Sequence, residues 1–171
     1  TFAVTICNIK MLDLLIIIPS GREQIFQSLA ADYAAIEPPT WALLVANYLR
    51  MRGWKIGVVD MDAGNLTRDD ITISTARAIL VHVHGQQPSA STQNMPSAIA
   101  LCQAIKKSAP NLPLFISGTH PAALPNLTLE ETGADVVIAG EGYTELDRLL
   151  SANPPSTSVI RDSNIDSALI P

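Results

Sequence analysis

The chain turns on one stretch, Val81-His-Val-His-Gly-Gln-Gln-Pro-Ser-Ala-Ser-Thr-Gln-Asn-Met95. It begins as the end of a buried strand and finishes at the start of a helix. Between the two, Ser89, Ser91, Thr92, Gln93 and Asn94 read as a loop of small polar residues. Such a loop offers many short hydrogen-bonding groups and no nucleophile–base pair, a composition suited to gripping a large polar ligand rather than cutting one. The blander alternative is a cap, with Thr92 or Asn94 closing the first turn of a helix that begins near Met95.

Working outward, the segments on either side alternate between strand and helix. Residues 12–18 form a continuous run rich in isoleucine and leucine, the pattern of a strand buried on both faces. Residues 22–37 are a long connection with room for a short helix at 25–33, and long loops after the first strand of an α/β fold often lie over a ligand. Pro38-Pro39-Thr40 opens a helix with Thr40 as its expected cap, and Gly53 ends it. Residues 55–60 give a second strand, 67–75 a short helix, 79–83 a third strand and 95–108 a helix with Pro96 in its first turn. Residues 112–117 and 135–139 supply the fourth and fifth strands. Segments 127–132 and 143–150 read as helices. The expected architecture is an α/β fold, a five-stranded parallel sheet with helices on both faces. Right-handed crossovers then bring all strand carboxyl ends to one edge, where ligands bind at the switch point of strand order.

The polar and glycine-rich segments follow that rule. Ser20-Gly21, the Ser89–Asn94 stretch, Gly118-Thr119-His120 and Gly140-Glu141-Gly142 all leave strand carboxyl ends, so four loops converge on one site. Gly118 would allow a close backbone approach, though a tight turn would need it equally. His82 and His84 fall on one face of their strand and suggest shaping of the site; two metal ligands lie at that spacing, but no third is evident. Trp41 and Trp54 read as packing residues.

Composition narrows the function. The chain has 171 residues, net charge −5, 47% hydrophobic and 16% charged residues, which fits one globular domain and disfavours a nucleic-acid backbone as partner. Cys7 and Cys102 are the only cysteines, which gives no disulfide framework and fits a reducing cytoplasm. The longest apolar run contains Asp13 and is too short to span a bilayer, and no basic segment before it suggests a signal peptide. No G-x-G-x-x-G follows the first strand, and neither a P-loop nor a G-x-S-x-G elbow is present.

Taken together these motifs resemble the cobalamin-binding domain at the N-terminus of radical S-adenosylmethionine (SAM) enzymes. The likeness is carried by the Met11–Pro19 strand, Glu37-Pro-Pro-Thr-Trp-Ala-Leu-Leu-Val-Ala-Asn-Tyr-Leu-Arg50 and Gly53-Trp-Lys-Ile-Gly-Val-Val-Asp60. It continues through Gly85-Gln-Gln-Pro-Ser-Ala-Ser-Thr-Gln-Asn-Met95, Gly118-Thr-His-Pro121 and Gly140-Glu-Gly142. The resemblance implies a flavodoxin-like sheet, with the dimethylbenzimidazole nucleotide tail of cobalamin running between the first and third strands. It implies cofactor contacts at Ser20, Gly85, Gln86, Pro88, Ser89, Ser91, Thr92, Gln93, Gly118, Thr119, His120, Gly140, Glu141 and Gly142. It divides the chain into an extension at 1–10, a cobalamin-binding domain at 11–150 and a linker or tail at 151–171.

Two departures qualify it. Many cobalamin domains carry D-x-H-x-x-G after the first strand, whose histidine ligates cobalt; here Pro19-Ser-Gly-Arg22 stands in that place. Cobalamin would then bind base-off without a histidine below the metal. The C-x-x-x-C-x-x-C motif of an iron–sulfur cluster is also absent, so a [4Fe-4S] cluster and S-adenosylmethionine would belong to a radical SAM barrel elsewhere, in cis or in trans. The expected role is a cobalamin module of a methyl-transferring radical enzyme. The alternatives are a free-standing corrinoid carrier and a flavodoxin-like enzyme acting on a phosphorylated or nucleotide ligand.

Overall fold

The structure is a computed structural model, and it describes residues 11–30, 34–36, 38–84, 88–152 and 158–161, with 88 and 89 described in their backbone alone. The expected extension at 1–10 lies outside the described residues, as do Gly85 and Gln86.

Among the described residues, six strands build one parallel sheet: β1 (Leu14–Ile18), β2 (Ile56–Asp60), β3 (Ile79–Val83), β4 (Leu114–Gly118), β5 (Val136–Ala139) and β6 (Ser158–Arg161), in the order β2-β1-β3-β4-β5-β6. The strand count corrects the expectation of five. β6 pairs in parallel with β5 from Val136↔Ser158 to Ala139↔Arg161, inside the stretch expected to be a linker or tail. Its four residues are too short and too weakly apolar to stand out against the Pro- and Ser-rich context.

β1, β3 and β4 are almost wholly buried because helices cover both faces. The alternation of side chains along each strand divides the core in two. Leu14, Ile16, Leu80 and Phe115 face α2 (Thr40–Met51) and α6 (Tyr143–Ser151). Leu15, Ile17, Val81 and Ile116 face α3 (Pro88–Ser108). Trp54 keeps its expected packing role: its indole Nε1 donates to Asp147 at 2.7 Å, and Arg52 pairs with the same carboxylate at 2.8 Å, tying the end of α2 to α6.

The local readings need four corrections. The connection after β1 forms α1 (Arg22–Phe26) and a 3-10 turn (Gln27–Leu29) rather than a helix over 25–33. Residues 67–75 form two 3-10 turns (Arg68–Asp70 and Ile73–Thr75). Thr40 is the first residue of α2, and its hydroxyl donates to the Pro38 carbonyl instead of capping the helix. Most consequential, residues 89–94 are not a loop: α3 begins at Pro88 and runs through Pro96. Pro88 suits a first helical position, where no amide partner is required. Burial of Ala90, Ser91, Asn94, Met95, Ala98, Leu101, Cys102 and Ile105 continues one helical stripe back into the polar segment.

After β4 the chain enters α4 (Thr119–Ala123) and then α5 (Pro125–Thr132). Gly118 explains the sharp entry. Its φ is +135°, and a Cβ there would lie 1.8 Å from the Val83 carbonyl oxygen. The glycine is thus required by the backbone of β3, independently of any ligand.

Candidate functional site

The chain runs outward from β1 to β2 and returns over the sheet to β3, so the switch point lies between β1 and β3. A cavity of about 590 Å³ opens there, at the strand carboxyl ends. Its floor is Ile18 of β1, Asp60 of β2, and His82 and His84 of and just after β3. One wall is the connection after β1, with Arg22, Ile25, Phe26 and Ile36; the opposite walls are Trp41 at the start of α2 and Ala90 and Asn94 on α3. The volume lies within the range that holds small molecules and cofactors.

Asp62 fixes one side of this space. Its carboxylate accepts from Ser20 Oγ at 2.6 Å and from the backbone amides of Gly21 and Arg22 at 2.9 and 3.2 Å. Ser20 is thereby occupied as a brace for the loop after β1. Arg22 donates from its guanidinium to the carbonyl oxygens of Ala30 and Ala34, holding the following segment against the cavity. Gly21 lets α3 come close: a Cβ at Gly21 would fall 1.7 Å from Asn94 Oδ1.

Six buried side-chain polar atoms lack a partner among the described residues: Arg22 Nε, Tyr48 Oη, His82 Nε2, Asn94 Oδ1, Thr128 Oγ1 and Ser158 Oγ. Three of these, on Arg22, His82 and Asn94, belong to residues that border this one cavity. Buried polar groups are nearly always satisfied, so their concentration here marks a place built for a polar partner.

The two histidines are stacked, with ring centroids 5.7 Å apart and an interplanar angle of 12°. This bears out their shared face, and both line the cavity. Burial, and secondarily the neighbouring His84, push the pKa of His82 down to about 4. Burial also lowers that of His84. Trp41 leans on His84 at 5.7 Å and is 40% exposed, so it stands at the cavity mouth rather than in the core.

His82, His84 and Asn94, singled out from sequence, line this cavity, whereas the residues expected as cofactor contacts fall beside it and none of the described ones lines it. Ser91 is fully buried; its hydroxyl donates to the Val83 carbonyl at 2.9 Å and accepts from the His120 amide at 3.0 Å, stapling β3 to α4. Thr92 Oγ1 lies 3.0 Å from His120 Nδ1, and Gln93 is exposed. Gly118, Thr119 and His120 join these at the ends of β3 and β4. Gly142, with φ +81°, starts α6 after β5; Gly140 precedes it and Glu141 is exposed. Pro88 and Ser89 are the first residues of α3. The structure therefore gathers Ser91, Thr92 and His120 into one cluster and puts Gly140–Gly142 on the next strand. Of the cavity residues, Arg22 and Asp60 were missed as candidates, Trp41 was expected to pack, and Asn94 was expected in a polar loop or as a cap rather than on a helical wall. The helical stripe through Ala90 and Asn94 was the signal that could have found the last of them.

Comparison with known proteins agrees with this geometry. The family model described as "B12 binding domain" matches residues 27–150.

The chain belongs to the B12-binding domain family.

Among solved structures, this B12-binding chain is similar to TsrM from Kitasatospora setae, a radical S-adenosylmethionine methyltransferase with tryptophan substrate and a SAM analogue bound. The TM-score is 0.60 and the identity 16%, a likeness of fold. The match covers 81% of this chain and 25% of that one, so the B12-binding chain spans about a quarter of the length of TsrM. No curated protein matches it. None of the described helices is long and apolar enough to cross a membrane.

Proposed function

We propose that this chain is the cobalamin-holding module of a radical SAM enzyme of the methyltransferase type, and that it binds cobalamin base-off with no histidine beneath the cobalt. The observation that carries the reading is the β1/β3 cavity, with buried unpartnered polar atoms on Arg22, His82 and Asn94, in a B12-binding fold. The fit to the nucleotide tail is chemical. Ile18, Ile25, Phe26 and Trp41 give apolar walls for a flat base, and the three unpartnered groups offer donors and an acceptor to the base, ribose and phosphate.

Bound cobalamin would supply the methyl-transfer chemistry, and the protein's own residues would bind and orient it. Asp62 holds the Ser20–Arg22 loop in place, and that loop carries no histidine that could ligate cobalt. Thr92, His120 and the Gly140-Glu141-Gly142 turn, at the same sheet edge, are proposed to meet the corrin side-chain amides, with Gly118 and Thr119 beside them; Gly85, Gln86, Pro88, Ser89 and Gln93 are proposed as further cofactor contacts. The radical SAM barrel, with its [4Fe-4S] cluster and S-adenosylmethionine, is proposed as the partner that faces the corrin; the fold of TsrM supports it.

Titration with hydroxocobalamin, followed by visible absorption, tests the reading. It expects saturable binding with a base-off spectrum. A base-on spectrum at saturation would remove the tail from the cavity, and no binding at high micromolar cobalamin would overturn the function.

A further inference from the structure

His82 has two ring nitrogens with different surroundings. Nδ1 lies 2.9 Å from Ser117 Oγ on the neighbouring strand. Nε2 is buried without a partner among the described residues, in a residue that is 7% exposed and borders the cavity. The ring is neutral at pH 7, because burial holds its pKa to about 4, and so it carries one proton. Ser117 decides where that proton sits. The serine is 3% exposed, and its hydroxyl meets His82 Nδ1 as its one hydrogen-bonding neighbour among the described residues. A buried hydroxyl gives its proton to the acceptor within reach. With Ser117 as the donor to Nδ1, the hydrogen sits on Nε2.

Asn94 complements this arrangement from α3. Its amide nitrogen donates to the His84 carbonyl oxygen at 3.4 Å, leaving Oδ1 buried and unpartnered on the cavity wall. Beside Arg22 Nε, the switch-point crevice thus presents His82 Nε2 as a donor and Asn94 Oδ1 as an acceptor.

We propose that His82 Nε2–H, fixed by Ser117, is a specificity-determining donor that selects cobamides whose lower base offers an sp² ring nitrogen. This rests on the base-off cobalamin reading. Once the base leaves cobalt, the ring nitrogen that would have bound the metal has a free lone pair. A benzimidazole or purine lower base supplies that acceptor. A phenolic lower base has no ring nitrogen and would leave the buried donor unpaired, a loss equivalent to about 10- to 100-fold in affinity. Discrimination by a missing hydrogen-bonding group is far steeper than discrimination by shape alone.

The test uses the 171-residue chain and three probes: cobalamin, a cobamide with a phenolic lower base, and cobinamide, which has no nucleotide tail. Calorimetric titration of wild type is expected to favour cobalamin over the phenolic cobamide by about 10- to 100-fold. His82→Phe is expected to bring that ratio down to within about threefold while both cobamides still bind better than cobinamide, since the apolar walls remain. Nitrogen-15 NMR of the imidazole is expected to show the Nε2–H tautomer in the free wild-type chain and a shifted Nε2–H signal once cobalamin is added. Ser117→Ala is expected to release the tautomer preference. Equal wild-type affinity for the two cobamides, or an Nδ1–H tautomer, overturns the inference and leaves the cobalamin function standing. Absence of cobalamin binding overturns the function itself. Both wild-type measurements hold even if His82→Phe does not fold.

Discussion

Acid should destabilise this protein over a pH window set by one residue. His82 lies in β3 with its pKa pushed from 6.5 to about 4, chiefly by burial. The unfolded chain takes up a proton as pH falls through 6.5, whereas the folded chain takes it up only near 4. Stability therefore falls as pH drops across that interval, and it is fully retained above 6.5. At about 1.4 kcal/mol per pH unit, the interval from 6.5 to about 4 corresponds to about 3 kcal/mol, of which about 2.5 kcal/mol is lost by pH 4.5. His84 is shifted in the same direction by its own burial and adds to the slope. For Asp147, burial raises the pKa, but hydrogen bonds from Trp54 and Arg52 outweigh it and hold the carboxylate low. Its contribution is present above the ordinary carboxylate value of 3.8 and is lost as pH falls through its lower folded value, outside the histidine window. The assay is urea unfolding of wild type and His82→Gln at intervals from pH 7.5 to 4.5. With a slope of about 2 kcal/mol per molar urea, the wild-type midpoint should fall by over about 1 M more than that of the variant. Whatever the variant does to stability at pH 7.5, parallel pH dependences for the two proteins would refute the buried, neutral histidine.

Three further perturbations follow from the packing. Gly118→Ala sets a Cβ against the Val83 carbonyl oxygen at a positive φ, so a loss of about 3 kcal/mol or more is expected in urea unfolding. Ser91→Ala removes the partner of both the Val83 carbonyl and the His120 amide and is expected to cost about 1–3 kcal/mol by the same measurement. Cys102 is buried on α3, and burial pushes its thiol up to about 12. In a Cys7→Ser background it should therefore react with a thiol reagent no faster than the protein opens, and immediate labelling at pH 8 would contradict its position in the core.

The sheet was legible because β1, β3 and β4 are buried on both faces, and such strands leave continuous apolar runs. The edge was less so: β6 is half-buried and short, and its hydrogen bonds to β5 depend on a partner distant in sequence. The start of α3 was misread for a different reason. Ser, Thr, Gln and Asn there have modest helix propensity, and Pro96 suggested a first turn. Packing against β3 overrode both, through the buried stripe from Ala90 to Ile105. For the site, its place at the strand carboxyl ends followed from topology and its position between β1 and β3 from the resemblance, whereas its lining followed from neither. Arg22, Asp60 and Asn94 come from three separate elements, and what joins them is the distance between strand ends, which spacing in sequence does not encode.

This redistribution bears on where cofactor affinity arises. Ser91 was expected to grip the nucleotide tail, yet its hydroxyl is already engaged at both its donor and an acceptor position within the protein. A ligand that took those bonds would have to detach α4 from β3. The groups that need no such rearrangement are Arg22 Nε, His82 Nε2 and Asn94 Oδ1, which are buried and have no partner among the described residues. Pairing them removes an existing penalty in addition to forming a contact, so each contributes more than an equivalent bond on the surface would. With the loop after β1 braced by Asp62 and lacking a histidine for cobalt, the proposed grip shifts from the start of α3 to the crevice beside it.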